Sequence, residues 1–330
     1  MIPRLGSLLA GALFAVALPV QAADRYSVRS PVLGYVLDQE TGSLHRLDGI
    51  PGASWVGEAI DLNLVVTRAD FAPTQGYAII RDEDGRTLFV DLTVEAPTAV
   101  PIKDALDGAS GVVISPSARR AAIYSTEAGR IQLLDGLPGV PVVGETLQLV
   151  KGVGTWSAFA ISDEGVILAA ATRPPGGSLH MMRAGHSTVR IGPVQRAGEL
   201  AFLAGTNDAV VTDTAASEIV LYRDVVVRRQ SMVIASANDG VKNPFGAKPT
   251  GDGRFVAVGL RGGIASVPLQ GGVAVFTECA CATTSLASLA GGNVFRLTDD
   301  LGEPIQIAEV SAEPRVLFVP ALQRDSDSAQ

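Results

Sequence analysis

Only two of the 330 residues are cysteine, three are histidine and two are tryptophan. The cysteines, Cys279 and Cys281, are separated by one residue, so a bond between them cannot staple distant segments, and stability has to come from a core. The chain has no His-Glu-x-x-His, no Cys-x-x-Cys-His, no Gly-x-Ser-x-Gly and no Gly-rich loop ending in Lys-Ser/Thr. The zinc-protease, c-type haem, serine-hydrolase and phosphate-loop signatures are therefore missing. Positive charge is also in deficit: the formal net charge is −8. That balance argues against nucleic acid, whose binding relies on Lys and Arg neutralising phosphates. Long runs with a 3.6-residue apolar period are missing too, which sets helical repeats aside.

Present instead are 47% hydrophobic residues, 18% charged residues and 36 glycines. That composition fits many short Val/Ile/Leu/Ala strands joined by tight turns. Residues 1–22 read as a secretory signal peptide: Arg4, an uncharged apolar stretch over residues 5–20, and Val20-Gln21-Ala22 before a cleavable bond. A mature chain starting near Ala23 is expected in the periplasm or outside the cell. It is not expected to span a membrane, because no later segment is long and apolar enough. Residues 323–330 (Gln-Arg-Asp-Ser-Asp-Ser-Ala-Gln) are expected to be a disordered tail.

Between these ends the chain repeats. Residues 47–60 (LDGIPGASWVGEAI) align without gaps to residues 134–147 (LDGLPGVPVVGETL) with eight identities in fourteen, 87 residues apart. That offset is close to two units of about 43 residues. A turn that ends one apolar run and opens the next recurs at Ser30-Pro31, Ala72-Pro73, Ser115-Pro116, Ser162-Asp163, Gly205-Thr206, Thr250-Gly251 and Leu289-Ala290. Within one unit, Gly111-Val112-Val113-Ile114, Ala121-Ala122-Ile123-Tyr124, Ile131-Gln132-Leu133-Leu134 and the run from Val142 to Leu149 read as four strands with turn chemistry between them. Seven such units predict an all-β fold: a single seven-bladed β-propeller of four-stranded antiparallel blades over residues 23–322. A β-sandwich array would not produce so uniform a spacing.

The Ser115-Pro116 turn, the second strand Ala121-Ala122-Ile123-Tyr124-Ser125-Thr126 and the third strand ending Leu133-Leu134-Asp135 resemble the YVTN-type repeats of secreted and surface-layer bacterial propellers. The usual Ser-Pro-Asp-Gly turn survives by halves, in Ser115-Pro116-Ser117-Ala118 and Thr250-Gly251-Asp252-Gly253. The resemblance implies a fold that hosts binding modules, lactonases, lyases and quinone-dependent dehydrogenases, so function has to be argued from the site.

On such a scaffold the loops joining strands two and three, and those joining blade to blade, share one face. They bring Asp38, Asp213, Asp299 and Asp300 to that face, with Arg81, Arg173 and Arg261 interspersed. A negative rim of this kind focuses potential on a basic partner or a divalent cation. Hairpin turns that favour Asp, on a surface that needs charge, account for the same residues. Asp82-Glu83-Asp84-Gly85 offers closely spaced oxygens, and Asp82 and Asp84 are the candidate calcium ligands. Trp156 and Phe245 are the aromatics expected at the channel mouth, as anchors for a ligand or as packing between blades. Cys279 and Cys281 are a candidate disulfide or soft-metal pair. His45 and His180 share a register in the third strand, which reads as a feature of the repeat. The expected function is an exported, noncatalytic binding or scaffold propeller that presents its loop face to a protein or cell-envelope component. The alternative is a lactonase-like hydrolase or lyase with a divalent cation at the channel mouth.

Overall fold

The second strand of each repeat is apolar at nearly every position, and that run sets the architecture. In Tyr77-Ala78-Ile79-Ile80, alternation places Tyr77 and Ile79 on one face and Ala78 and Ile80 on the other, and all four are buried. A strand reads this way when both faces of its sheet are covered. The sheets must therefore stack face to face.

The computed structural model describes residues 30–280, 283 and 285–322. The expected signal peptide, the expected tail and Cys281 lie outside the described residues. The propeller belongs to one compact unit that begins at Pro31. Its first blade comprises β1 (Val32–Asp38), β2 (Ser43–Ile50) and β3 (Ala53–Ile60); the second, β4 (Val66–Phe71), β5 (Tyr77–Asp82), β6 (Thr87–Asp91) and β7 (Ala99–Pro101). The third has β8 (Gly111–Ile114), β9 (Ala121–Ser125), β10 (Arg130–Asp135) and β11 (Val142–Gln148); the fourth, β12 (Thr155–Ile161), β13 (Ile167–Arg173), β14 (Gly176–Met182) and β15 (Val189–Val194). The fifth has β16 (Ala197–Phe202), β17 (Ala209–Asp213), β18 (Glu218–Arg223) and β19 (Gln230–Ser236). The sixth has β20 (Gly246–Pro249), β21 (Phe255–Leu260), β22 (Gly263–Pro268) and β23 (Val275–Glu278); the seventh, β24 (Ala287–Ser288), β25 (Val294–Arg296), β26 (Ile305–Glu309) and β27 (Arg315–Val319).

Each sheet is an antiparallel meander of consecutive strands, and together they form the expected seven-bladed propeller. The 87-residue offset maps β1, β2 and β3 onto β9, β10 and β11. The counterpart of β8 falls on residues 24–27, outside the described residues, so the first sheet has three described strands and the other six have four. In the fifth blade the turn lies two residues before the expected Gly205-Thr206. Leu203 N–H bonds to Asp208 O, as Ala72 N–H bonds to Tyr77 O and Thr250 N–H to Phe255 O in their blades.

Among the described residues, seven apolar clusters fill the seven spaces between neighbouring blades. Tyr35, Leu37 and Leu44 of the first blade meet Val66, Ala78, Ile80 and Leu88 of the second. Tyr77, Ile79 and Phe89 on the opposite face of that second blade meet Ala121, Ile123 and Leu134 of the third. The pattern continues around the ring. It closes where Leu33, Val36 and Leu47 pack on Leu289, Val294, Ile305, Ile307 and Val319 of the seventh blade. No strand is exchanged across this seam among the described residues. Three hydrogen bonds reinforce the closure region: Arg296 Nη1 to Tyr35 O (2.7 Å), Gln75 Nε2 to Ser288 O (2.9 Å) and Ala290 N–H to Leu33 O (2.8 Å).

The long internal match has a local cause. Gly49 and Gly136 turn the third strand into the fourth at φ +108° and +88°, a region that L side chains disfavour, and a Cβ on either would strike the backbone of the returning strand. Eight residues on, Gly57 and Gly144 leave room for a carboxylate: a Cβ there would lie 2.8 Å from Asp48 Oδ2 and 2.7 Å from Asp135 Oδ2. Those two aspartates bind arginines, Asp48 with Arg46 and Asp135 with Arg120. The shared Leu-Asp-Gly-x-Pro-Gly and Val-Gly-Glu are thus one hairpin built twice.

Loops between first and second strands link neighbouring blades on the other face. Asp163, in the fourth blade, accepts Ser117 N–H from the third (2.8 Å) and Gly205 N–H from the fifth (2.8 Å). Burial opposes its charged form, but these hydrogen bonds and further ones from Ser117 and Ser115 outweigh it and hold the carboxyl below its ordinary value. A carboxyl depressed in the folded state contributes stability above its unfolded value, about pH 3.9, and loses it as pH falls through the lower folded value. Asp163→Asn is expected to cost about 1–2 kcal/mol at neutral pH, reduced by partial solvation. It should also flatten the acid limb of stability below about pH 4. Urea titrations from pH 3 to 7 check this, and parallel profiles for variant and parent would refute it.

Candidate functional site

The first strands of the blades lie side by side around the axis. Six of them, with Tyr35 of β1, enclose a cavity of about 670 Å3. This is the central channel. Its volume falls in the range of small-molecule sites, about 300–1,000 Å3.

Four of its five charged residues come from two positions of the first strand, four and two residues before the strand-ending turn. Arg68 and Glu199 occupy the earlier position in the second and fifth blades; Asp70 and Lys248 occupy the later one in the second and sixth. Arg68 Nε lies 3.0 Å from Asp70 Oδ2, and its Nη1 donates to Ser110 O (3.0 Å). Lys248 Nζ lies 3.1 Å from Glu199 Oε1. Glycines make room for these groups. Gly111 stands at the earlier position in the third blade, and the Tyr124 phenol lies over it, within hydrogen-bonding reach of Arg68. Gly246 does the same for Glu199, whose Oε2 lies 2.6 Å from where a Cβ would be.

Burial pushes the Asp70 carboxyl up, against the opposing pull of Arg68, Lys248 and Arg81. It likewise pushes Glu199 up, against Lys248 and the Ala247 N–H. Burial also raises the Tyr124 phenol. Arg296, from β25, completes the wall; it is 7% exposed, and burial lowers its pKa.

The residues expected on the loop face are placed there by strand order, but they do different work. Asp213 accepts four backbone N–H groups, from Gln195 (2.6 Å), Arg196 (3.2 Å), Ala215 (3.2 Å) and Ala216 (3.1 Å), and so pins a turn. Asp38 accepts from Glu40 N–H (3.0 Å) and the Thr41 hydroxyl (2.9 Å). Asp300 accepts from Gly302 N–H (2.8 Å), and Arg173 donates to Gly152 O (3.2 Å). Arg261 is exposed. The Arg86 guanidinium lies between Asp82 Oδ2 (2.7 Å) and Asp84 Oδ2 (2.9 Å), where a cation would be held. Among the described residues no group of three or more His, Cys, Asp or Glu is arranged to hold a metal ion.

Trp156 does not line the channel cavity: its ring meets His180 edge-on at 5.2 Å and Phe159 at 6.2 Å. Phe245 packs over Gly259 between the sixth and seventh blades. His45 and His180 each bond to the serine two residues earlier, Ser43 (3.2 Å) and Ser178 (2.8 Å), a feature of the repeat. Cys279 is disulfide-bonded, and Cys281 is outside the described residues. Arg81 and Asp299 are the two expected residues brought together on one cavity, a smaller recess beside the channel.

No family model and no curated protein matches the sequence. Solved structures match the fold. A functionally unknown protein from Desulfotomaculum acetoxidans superposes with a TM-score of 0.61 at 13% identity, over 88% of this chain and 100% of that one. Hydrazine synthase from Kuenenia stuttgartiensis gives 0.61 at 12% identity, over 89% and 99%. Virginiamycin B lyase from Staphylococcus aureus gives 0.55 at 10% identity, over 78% and 84%. At these identities the shared property is the propeller.

The Lys248–Glu199 pair is the test of the channel electrostatics. Lys248→Met removes the cation that opposes burial, so the Glu199 carboxyl should titrate at higher pH. A carboxyl raised in the folded state takes up its proton there first, so stability falls as pH rises from the unfolded value, about 4.3, through the folded one. Carbon-13 NMR titration of the Glu199 carboxyl reads this directly. An unchanged titration in the variant would show that the pair does not form.

Proposed function

We propose that the protein is exported and works as a noncatalytic binding propeller that presents the face carrying the second-to-third-strand loops to a protein or cell-envelope component. The observation that carries this reading is the pairing of the channel carboxylates: Asp70 and Glu199 are each bonded to a cation on the wall, so neither stands free to act on a substrate. Export is supported by the signal-like residues 1–22, and the YVTN-type look of the Ala121–Ser125 strand and its neighbours fits a surface-exposed propeller. No helix among the described residues is long and apolar enough to cross a membrane. The second reading is a hydrolase or lyase acting in the channel. It is favoured by the raised carboxyls, since perturbed acids in a cavity are the groups that general acid–base chemistry uses.

Photo-crosslinking separates a specific face from nonspecific adhesion. p-Benzoylphenylalanine placed at Arg261, on the proposed face, should give a discrete adduct with an envelope fraction that excess unlabelled protein competes away. The same group at Val227, in a loop between third and fourth strands on the opposite face, should give none. Equal adducts from both positions, or none from Arg261, would contradict the proposal.

A further inference from the structure

Cys279 is disulfide-bonded, and the chain has one other cysteine to bond it, Cys281. The bond therefore closes across a single residue, Ala280. Cys279 follows β23 directly, in the connection from the sixth blade to the seventh, on the face that carries the second-to-third-strand loops. Its N–H bonds to Gly262 O (3.0 Å) in the turn between β21 and β22, and the Thr283 hydroxyl donates to Leu260 O (2.8 Å) at the start of that turn. The segment is thus anchored to the sixth blade on either side of the pair. Cys279 is partly exposed and Ala280 is exposed, so the Cys279 side of the bond is open to a thiol in solution.

A disulfide at this spacing contributes little to stability. In the chain-entropy account its effect grows with the logarithm of the loop it closes, and this loop has three residues. The two anchoring hydrogen bonds hold the segment without it. The bond also fits a strand poorly. Alternate residues of a strand are about 6.7 Å apart on one side, whereas bonded cysteines need Cβ atoms about 3.8 Å apart. Closing the bond therefore bends the chain out of the extended form, and β23 ends at Glu278 although the ladder continues for one more bond, from Cys279 N–H. A disulfide whose cleavage relieves strain is the more easily reduced. A surface bond that holds nothing together and favours reduction is suited to exchange.

We propose that Cys279 and Cys281 form a reversible redox site that exchanges with cysteine thiols of other proteins. A partner thiolate attacks one sulfur, the S–S bond breaks, and a mixed disulfide forms as the other cysteine leaves as a thiolate. A second thiolate of the same partner then attacks the mixed disulfide. The partner departs with a disulfide of its own, two electrons have passed to this chain, and its two thiolates take up the two protons that the partner thiols released. This goes beyond the partner-binding reading, because a small thiol suffices as probe and the outcome does not depend on the cross-linking result.

Glutathione is that probe, since structural disulfides resist reduction by it. The folded protein is equilibrated in glutathione redox buffers, free thiols are blocked with N-ethylmaleimide, and intact mass counts the blocks while circular dichroism follows the fold. No block before glutathione and two after it, with the spectrum unchanged, are expected. Cys281→Ser in oxidised glutathione should hold Cys279 as a mixed disulfide, the first step of the exchange. One alanine inserted after Ala280 relaxes the ring and should make the pair about tenfold harder to reduce at equilibrium. Two blocks before any glutathione, a pair that stays oxidised until urea unfolds the protein, a Cys279 that takes up no glutathione in Cys281→Ser, or an inserted variant reduced as readily as the parent would each overturn the proposal.

Discussion

Every blade of this protein buries both of its faces, and the rest of the structure depends on that. In the second blade Tyr77 and Ile79 serve the interface with the third blade while Ala78 and Ile80 serve the interface with the first. A sheet with two apolar faces is unstable alone and needs a neighbour on each side. The requirement ends only when the ring closes. Leu33, Val36 and Leu47 meeting Leu289, Ile305 and Ile307 are therefore the contacts that let the other six interfaces exist. Each fully buried Leu or Ile contributes about 1.5–3 kcal/mol, so among the described residues the seam holds by this area and three hydrogen bonds, without an exchanged strand.

Ring closure also creates the polar interior. Seven sheets meeting at an axis leave a channel lined, among the described residues, by six first strands and Tyr35 of β1, and side chains too polar for an interface face it. Charges there are partly withdrawn from water, so they pair: Arg68 with Asp70, Lys248 with Glu199. Arg296, on the same wall, donates to the Tyr35 carbonyl. The fold and the channel thus have one origin, and the same seam brings β25 beside β1.

The propeller was legible because its causes are local and repeated. The Leu-Asp-Gly-x-Pro-Gly hairpin needs a left-handed glycine at Gly49 and Gly136 and an open position at Gly57 and Gly144, so the same letters recur 87 residues apart. The fifth-blade turn lies at Leu203-Ala204, which carries neither Pro nor Gly, so the turn chemistry in the sequence sits two residues later, at Gly205. The channel was not legible. Arg68, Glu199, Lys248 and Arg296 come singly from four blades, and no spacing motif links residues that only closure brings together. For the first three the one signal was a charged residue two or four places before the strand-ending turn; Arg296, in a second strand, gave none. Trp156 and Phe245 were expected either as anchors at the mouth or as packing between blades, and the packing is what their rings do, on His180 and in the space between the sixth and seventh blades. Asp213 was expected either as a rim charge or as a turn residue, and the four backbone N–H groups it accepts are those of a turn residue.

Native-state hydrogen exchange on the strands of the first and seventh blades tests most directly whether the packed seam between them seals the ring. If it does, amides of β2 and β26 exchange only through global unfolding, with the same free energy and denaturant dependence as those of β13 and β17 on the far side. Exchange of β2 and β26 at a distinctly lower free energy than β13 and β17 would show a seam that opens by itself, and would contradict the account.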